Sequence, residues 1–244
     1  MFSKQDLVAD FKKIGLRAGD LVCVHSSYKS IGPVDGGANT VIDALIETVG
    51  PKGTLMFPAF TFYLLEQDAP VFDFEKSPSC VGFLSELFRT EYAEQRSVHV
   101  SHSYSVRGPL TKELCAHSED ITPCDAATPL GKLLAMGGKI LMIGCSYNCL
   151  TAVHVIEETN HVPYVRFKAM PGATIMQNGK SRPLASKAVY PFSYEFTRLE
   201  QPLKQAGGVK EDKIGNAASL LIDGTILVQT GTKLIKENPN FLAK

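Results

Sequence analysis

The chain has 244 residues, 44% of them hydrophobic, so it can bury a substantial core as one large domain. Lysine plus arginine and aspartate plus glutamate both number 25, and the formal net charge of zero argues against a nucleic-acid footprint or a polybasic membrane patch. No apolar run approaches the roughly 20 residues of a membrane span, and the charged N-terminus lacks the apolar core of a signal peptide. We therefore expect a cytoplasmic protein.

The first third of the chain alternates helical and extended patterns. Ser3 is placed to cap a first helix that ends before Gly15, and residues 21–25 form a short apolar run typical of a buried strand. Asn39 is predicted to cap a second helix, and residues 54–57 are predicted to form the next strand. This alternation predicts an α/β architecture with a largely parallel sheet.

The rest of the chain contains a long loop, further α/β elements and a β-rich segment. Residues 58–78 are rich in aromatic and acidic side chains without a regular pattern, which is typical of a lid or a binding loop. Helices are predicted at about 81–92, 130–135 and 195–206, a strand at 139–143, and extended segments at 164–170 and 173–190 with a hairpin turn at Asn178-Gly179. No repeat or low-complexity linker divides the chain. We therefore expect a single domain over residues 1–244 with a β-rich excursion at about 164–190.

The six cysteines form no C-x-x-C pair, and several lie in apolar stretches. A disulfide framework is not expected in a domain of this size without secretion, so most of them are interpreted as small buried side chains. Cys145 and Cys149 flank the segment described next, and a reactive thiol there is the alternative.

A histidine and a carboxylate follow the predicted strand at 139–143, in the segment Thr151-Ala-Val-His154-Val-Ile-Glu157. Side chains three apart share a helix face, and open α/β sheets tend to place their sites at the carboxyl ends of strands. A free histidine titrates at about 6.5, so His154 is a candidate general base with Glu157 as its orienting acid. Thr151 is a candidate helix cap or hydroxyl donor to a reacting oxygen. The alternative is a structural histidine in the core beside a solvated glutamate.

A second cluster, Arg96-Ser-Val-His99-Val-Ser-His102-Ser103, is dense in hydrogen-bond donors. Its β-branched residues predict an extended strand, in which His99 and His102 would point to opposite faces. That geometry disfavours a zinc site, which would also need a ligand from elsewhere in the chain. Polar lining for a ligand and local turn capping are the two interpretations left open.

A third cluster, His25-Ser-Ser-Tyr-Lys-Ser30, follows a predicted strand and runs into a glycine-rich turn at residues 32–37. Hydroxyls, a lysine and backbone amides in such a place can hold a phosphate or pyrophosphate. The cluster lacks both the G-x-G-x-x-G spacing and the Walker G-K-S/T ending, which argues against dinucleotide redox chemistry and nucleotide hydrolysis.

Together, the three blocks resemble the aminoglycoside 3-N-acetyltransferase family. Members of that family carry a His-Ser-Ser segment before a glycine-rich turn, an Arg-Ser-x-His-Pro-x-His-Ser block, and a Thr-x-x-His-x-x-Glu block after a buried strand. Here the blocks are residues 25–27, 96–103 and 151–157, in the same order and with matching spacing between about residue 20 and residue 225. Val100 replaces the proline of the second block.

The resemblance implies a three-layer α/β/α sandwich with a central, largely parallel mixed sheet, and an acyltransferase distinct from the GNAT acetyltransferases. Its co-substrate would be acetyl-CoA and its acceptor an amine, with no metal. His154 would deprotonate the amine, Glu157 would orient His154, and Thr151 would contact the reacting region, where backbone N–H groups at the helix start are candidate oxyanion donors. Asp73 and Glu158 are expected to contact the acceptor. The coenzyme is expected to lie along His25, Ser26, Ser27, Tyr28, Lys29, Ser97 and His102.

The identity of the acceptor stays open between an aminoglycoside, which would make this an antibiotic resistance enzyme, and an endogenous amino sugar, including a nucleotide-linked one. A polycationic antibiotic favours an acidic pocket, and this neutral chain offers few acidic groups. Two further alternatives are a covalent route through Cys145 or Cys149 paired with His154, and an inactive homologue that binds coenzyme or sugar. The β-rich segment could be a lid or the interface of a homodimer. Otherwise the expected partners are small molecules only, with no nucleic acid or membrane.

Overall fold

The fold is organised around a seven-stranded mixed sheet with helices on both faces. A computed structural model describes the whole chain, residues 1–244. The strands are β1 Leu21–Ser26, β2 Thr54–Pro58, β3 Val71–Asp73, β4 Gln95–Arg96, β5 Tyr104–Arg107, β6 Lys139–Ile143, β7 Phe167–Ala169, β8 Thr174–Gln177, β9 Lys180–Pro183, β10 Lys187–Val189, β11 Val209–Ile214 and β12 Ala217–Asp223. The α-helices are α1 Lys4–Ile14, α2 Tyr28–Ile31, α3 Gly37–Val49, α4 Phe83–Leu87, α5 Thr111–Cys115, α6 Pro129–Ala135, α7 Ala152–Thr159, α8 Glu200–Gln205 and α9 Gly224–Glu237.

The strand order of the main sheet is β11-β12-β6-β1-β2-β5-β4. Strand β1 pairs in parallel with both β2 and β6, for example Val22 with Leu55 and His25 with Met142. The outer pairings are antiparallel, so the parallel part is confined to three central strands. The predicted α/β/α fold with a mixed sheet is confirmed, and the carboxyl ends of β1, β2 and β6 meet at one edge.

The central strands are buried on both faces, which explains their continuous apolar sequences. Along β1, Val22 and Val24 pack with α1, α3 and α4 on one face, whereas Cys23 packs with α5 to α9 on the other. Two hydrophobic clusters of 24 and 27 buried residues therefore sandwich the sheet, and they form a rigid platform for its carboxyl edge. None of the helices combines the length and the apolar character that a membrane crossing requires.

The capping prediction holds at the first helix and fails at α3. Ser3 Oγ accepts a hydrogen bond from the backbone N–H of Asp6, the Asp6 carboxylate accepts from Ser3 N–H, and α1 ends at Ile14, directly before Gly15. Helix α3 begins at Gly37, so Asn39 lies inside its first turn and does not cap it. The glycine-rich turn, not an Asx cap, sets the start of this helix.

The predicted β-rich excursion forms two small sheets beside the main one. Strands β8 and β9 form the predicted hairpin, and Asn178 and Gly179 at its turn both have positive φ. Strand β3, from the predicted loop at 58–78, pairs in parallel with β8, and β7 pairs with β10. The long loop is therefore tied to the excursion through β3, which no sequence pattern indicated. The β11–β12 hairpin and helix α9 were likewise not predicted.

Candidate active site

A cavity of about 310 Å³ opens at the edge where the carboxyl ends of β1, β2 and β6 meet. Ser26, Pro58 and Cys145 come from the ends of these three strands, and Thr151 and His154 come from the connection after β6 and from α7. The remaining lining residues are mostly aromatic or apolar: His25, Phe60, Phe62, Val81, His102, Asn148, Cys149, Tyr194 and Phe196. None of the lining residues is an aspartate or a glutamate.

His154 and Glu157 form a hydrogen-bonded dyad on α7, with His154 Nδ1 2.5 Å from Glu157 Oε2. The Glu157 side chain is fully buried, whereas the His154 side chain keeps 21% of its surface exposed. Tyr164 Oη donates to the other carboxylate oxygen, Glu157 Oε1, over 2.7 Å. Because Nδ1 is held by the carboxylate, Nε2 is the ring nitrogen left to face a substrate.

Three aromatic rings pack edge-on against His154. The ring centroids of Phe192, Tyr194 and Phe196 lie 5.6, 5.3 and 5.0 Å from that of the imidazole. Phe196 and Tyr194 are stacked on one another at 4.3 Å. This wall fixes the plane of the histidine ring and excludes water from one side of it, which strengthens electrostatic interactions at Nε2.

The opposite side of the cavity carries two neutral histidines. Burial lowers the pKa of His25 to about 4, and burial with the nearby His99 and His154 lowers the pKa of His102 well below its usual value. The ring of His102 lies 4.7 Å from that of Phe60 and 5.1 Å from that of Phe62. Both histidines therefore act at neutral pH as uncharged donors or acceptors. Ser26 Oγ is buried and has no hydrogen-bond partner in the protein.

A groove continues outward from the cavity through Ser26. It is lined by Ser26, Ser27, Tyr28, Lys29, Gly82 and Phe83, and Lys29 is exposed at its surface. Gly144, directly after β6, has φ +62°, and a Cβ there would lie 1.9 Å from Ser30 Oγ. A glycine is thus required at this position for α2 to pack against the end of β6.

Glu157 reaches the cavity only through His154, and three further predicted site residues also lie outside the cavity and the groove. Ser97 Oγ accepts from the backbone N–H of Tyr104, which ties β4 to β5. Asp73 Oδ1 accepts from Lys76 N–H in a turn. Glu158 accepts from Thr122 Oγ1 at 2.5 Å and from Cys124 N–H at 2.9 Å, so its carboxylate anchors the segment before α6. None of these three side chains lines the cavity or the groove, and each makes a hydrogen bond within the protein, so their contact with a ligand stays a prediction.

The start of α7 also departs from prediction. Thr151 has helical dihedral angles and makes no capping hydrogen bond, and its side chain lines the cavity. The N–H groups of Thr151, Val153 and His154 already donate to backbone carbonyls, so among the amides at this helix start only that of Ala152 is left as a candidate oxyanion donor. Asn148 is a donor that no sequence pattern indicated. Its Oδ1 accepts from Phe196 N–H at 3.1 Å, which leaves the side-chain NH₂ group free in the cavity lining.

The second cluster is a turn and not an extended strand, because β4 ends at Arg96. His99 Nδ1 accepts from the backbone N–H groups of Ser101 and His102, at 3.1 and 3.0 Å. Of its two histidines, only His102 lines the cavity, so the turn-capping interpretation applies to His99 and the lining interpretation to His102. No group of three or more potential metal ligands comes together in the structure.

Arg96 has a structural place beneath the cavity. Its buried guanidinium donates to the carbonyls of Ala59 and Ser77 at 2.9 and 2.7 Å and to Ser103 Oγ at 2.9 Å, and it lies 4.7 Å above the Phe72 ring. Burial lowers the pKa of Arg96 to about 10. The arginine therefore fastens the 58–78 segment, including the cavity residue Phe60, to the sheet.

Comparison with known proteins gives one family. Residues 23–236 match the family model described as aminoglycoside 3-N-acetyltransferase. The aminoglycoside N(3)-acetyltransferase III of a Salmonella species is 31% identical over 196 residues, which cover 74% of this chain and 68% of that protein.

Solved structures have the same fold. AAC-VIa bound to sisomicin superposes with a TM-score of 0.82 at 26% identity and covers 97% of this chain and 98% of its own. AAC-IIIb in a binary complex with CoASH superposes with a TM-score of 0.85 at 24% identity, covering 96% of each chain.

Proposed function

The chain belongs to the aminoglycoside 3-N-acetyltransferase family, and from that premise we propose that it transfers the acetyl group of acetyl-CoA to an amino sugar with His154 as general base. The observation that carries the proposal is the His154–Glu157 pair at the cavity, with Nδ1 bound and Nε2 free. The family makes the chain an acyltransferase. The role of each residue is our inference.

The transfer needs an unprotonated amine, because an ammonium ion cannot attack a thioester. His154 Nε2 takes the proton that the amine nitrogen loses as the new N–C bond forms, and Glu157 stabilises the resulting imidazolium. The C–S bond then breaks, and the coenzyme leaves as a thiolate that is protonated on release. A positioned base contributes roughly 10² to 10⁴ in rate.

The thioester oxygen becomes an oxyanion during this reaction and needs hydrogen-bond donors. We assign the side-chain NH₂ of Asn148 and the hydroxyl of Thr151 to this role, because both line the cavity with His154. Phe196 N–H holds Asn148 Oδ1 and so presets the direction of the amide. A preset donor costs no reorganisation when charge develops, and this is what makes an oxyanion site effective.

The coenzyme would enter along the groove. The pantetheine arm would pass His25 and Ser26, and the exposed Lys29 at the groove surface would meet a phosphate. The unpartnered Ser26 hydroxyl supports this path, since a buried hydroxyl without a partner is costly unless a ligand supplies one. His102 would contact the coenzyme near its thioester end.

Two acceptor classes remain candidates. Family membership favours an aminoglycoside. The cavity lining, which contains no carboxylate, favours an amino sugar of lower positive charge, because a polycation gains little from an uncharged aromatic pocket. A covalent cysteine route is less well supported, because the only hydrogen bond of the His154 side chain is to Glu157 and not to a thiol.

Thiol release from acetyl-CoA with a panel of amines tests the proposal. The panel compares kanamycin-type and gentamicin-type aminoglycosides with simple and nucleotide-linked amino sugars. We expect release of free coenzyme with at least one of these acceptors and an N-acetylated product by mass spectrometry. If no acceptor raises release above the rate without amine, the proposal is wrong and the protein is a binding homologue.

A further inference from the structure

Two cysteines share the cavity with His154. Cys145 follows β6, and Cys149 is the last residue of the 3-10 turn Tyr147–Cys149. The two cysteines are four residues apart, and both line the cavity. Cys149 is exposed and Cys145 is partly buried. The proposed transfer reaction uses neither thiol.

The other four cysteines differ from this pair. Cys23, Cys115 and Cys124 are buried in the core, where desolvation raises their pKa values. Cys80 is exposed but does not line the cavity. Cys149 is therefore the one thiol that combines exposure, a place in the cavity and a neighbouring cysteine.

The neighbourhood of Cys149 favours its thiolate. Interaction with the Cys145 thiol, helped by hydrogen bonds from Ser146, lowers the pKa of Cys149 to about 6, whereas the pKa of Cys145 is raised. The thiolate is the nucleophile in thiol–disulfide exchange, and Cys149 is also the more exposed of the two thiols, so it is suited to attack a disulfide and Cys145 to act afterwards.

We propose that Cys149 is a thiol–disulfide exchange site for coenzyme A disulfide, with Cys145 as the resolving thiol. The proposal rests on the proposed function, because acetyl transfer requires the coenzyme sulfur to reach His154, in the cavity that both cysteines line. Binding of the coenzyme moiety would therefore hold its disulfide next to Cys149 at a high effective concentration.

The exchange balances without another oxidant. The Cys149 thiolate attacks one sulfur of the coenzyme disulfide, an S–S bond breaks, one coenzyme leaves as a thiolate, and the other stays as a mixed disulfide. Cys145 then loses its proton and attacks Cys149 Sγ, which releases the second coenzyme thiolate and forms a Cys145–Cys149 disulfide. The protein is oxidised by two electrons, and the coenzyme disulfide is reduced to two thiols. Either oxidised form blocks the cavity and stops acetyl transfer until a thiol reduces it.

Intact-mass measurement under non-reducing conditions, followed by peptide mapping, tests this on the full chain incubated with coenzyme A disulfide. We expect the wild-type protein to end with a Cys145–Cys149 disulfide, and Cys145→Ser to retain a coenzyme adduct on Cys149. Cys149→Ser should form no adduct. Cys80→Ser, the matched exposed control, should behave as wild type. Glutathione disulfide should react at least about tenfold more slowly, because it lacks the coenzyme moiety that the cavity binds.

Adduct formation on Cys80 as fast as on Cys149, or equal rates with glutathione disulfide, would overturn the proposal. So would an unmodified Cys149 in a protein that turns over acetyl-CoA. Formation of the coenzyme adduct does not require acetyl transfer, so the thiol-exchange proposal and the proposed function can be refuted independently of one another. A chain that forms the adduct but acetylates no amine refutes only the proposed function.

Discussion

Glu157 Oε2 lies 2.5 Å from His154 Nδ1, and the carboxylate that makes this contact is completely buried. A buried carboxylate must be satisfied on both oxygens, and here the second oxygen accepts from Tyr164. Since Tyr164 begins the β-rich excursion, the orientation of a residue on α7 depends on a segment that is distant in the topology. The β-rich excursion therefore helps to orient the His154–Glu157 pair, through Tyr164, and the segment that follows it contributes aromatic side chains next to His154.

Tyr164→Phe should lower kcat because it removes the donor that fixes Glu157. A hydrogen bond to a charged group contributes about 1.5–3 kcal/mol, so we expect a loss of about tenfold or more in kcat and little change in KM for acetyl-CoA. Steady-state kinetics measure both. Tyr190→Phe, an exposed tyrosine of the same excursion, is the control and should be unaffected. Unchanged kcat in Tyr164→Phe would show that Glu157 needs no second partner.

Asn148→Asp tests whether the side chain of Asn148 acts as a hydrogen-bond donor to the oxyanion or only through its hydrogen bond from Phe196 N–H. The aspartate keeps an oxygen that can accept from Phe196 N–H, but it replaces the free NH₂ with a second oxygen. If Asn148 stabilises the oxyanion, kcat should fall by about 10² to 10³, as for removal of one oxyanion donor in other acyl-transfer enzymes. Asn148→Ala should lose a similar amount. An active aspartate variant would assign the oxyanion to other donors.

Arg96→Met should destabilise the fold. The substitution removes the Arg96 donor from the carbonyls of Phe74 and Ser77, whereas the Ala59 carbonyl keeps a hydrogen bond from the Ser103 hydroxyl. Unpaired buried polar groups cost about 1–3 kcal/mol each, so the free energy of unfolding should fall by about 2 kcal/mol or more. Urea denaturation monitored by circular dichroism gives this value. Arg182→Met, which removes a largely exposed ion pair with Glu119, should cost under about 1 kcal/mol. Equal effects of the two substitutions would contradict the structural role of Arg96.

Glu158 should make stability depend on pH. Burial raises the pKa of Glu158 to about 7, against about 4.3 for an unfolded glutamate. Between these values the folded chain holds a proton that the unfolded chain has released, so the contribution of Glu158 to stability falls as the pH rises and is lowest above pH 7. Glu158→Gln stays neutral and should gain stability over wild type at pH 8 but not at pH 4, by an amount on the order of 2–3 kcal/mol. Denaturation curves at both pH values decide this, and a difference independent of pH would contradict it.

The sequence indicated those residues of the candidate site whose position depends on where a strand ends. It did not indicate those whose position depends on the direction of a side chain. His25 and Thr151 could be brought together because His25 lies near the end of the buried strand β1 and Thr151 follows β6, and parallel strands end at one edge. Asn148 could not be found, because its exposure to the cavity depends on a 3-10 turn and on a hydrogen bond from Phe196. Glu158 follows Glu157 directly, yet a helix turns successive side chains about 100° apart and directs it to another loop.

In the fold, too, local sequence patterns predicted some elements and not others. Buried strands and amphipathic helices were predictable from apolar patterns, including β1 and α1. Strand β3 was not, because three residues in an aromatic loop become a strand only through pairing with β8, about 100 residues later. Such long-range pairing leaves no local pattern in the chain.

The general-base role of His154 is tested most directly by His154→Ala, with acetyl transfer and coenzyme binding measured on the same preparation. The account predicts that kcat falls by roughly 10² to 10⁴ while the dissociation constant for coenzyme A stays close to that of the wild type. Near-normal turnover by this variant would contradict the account.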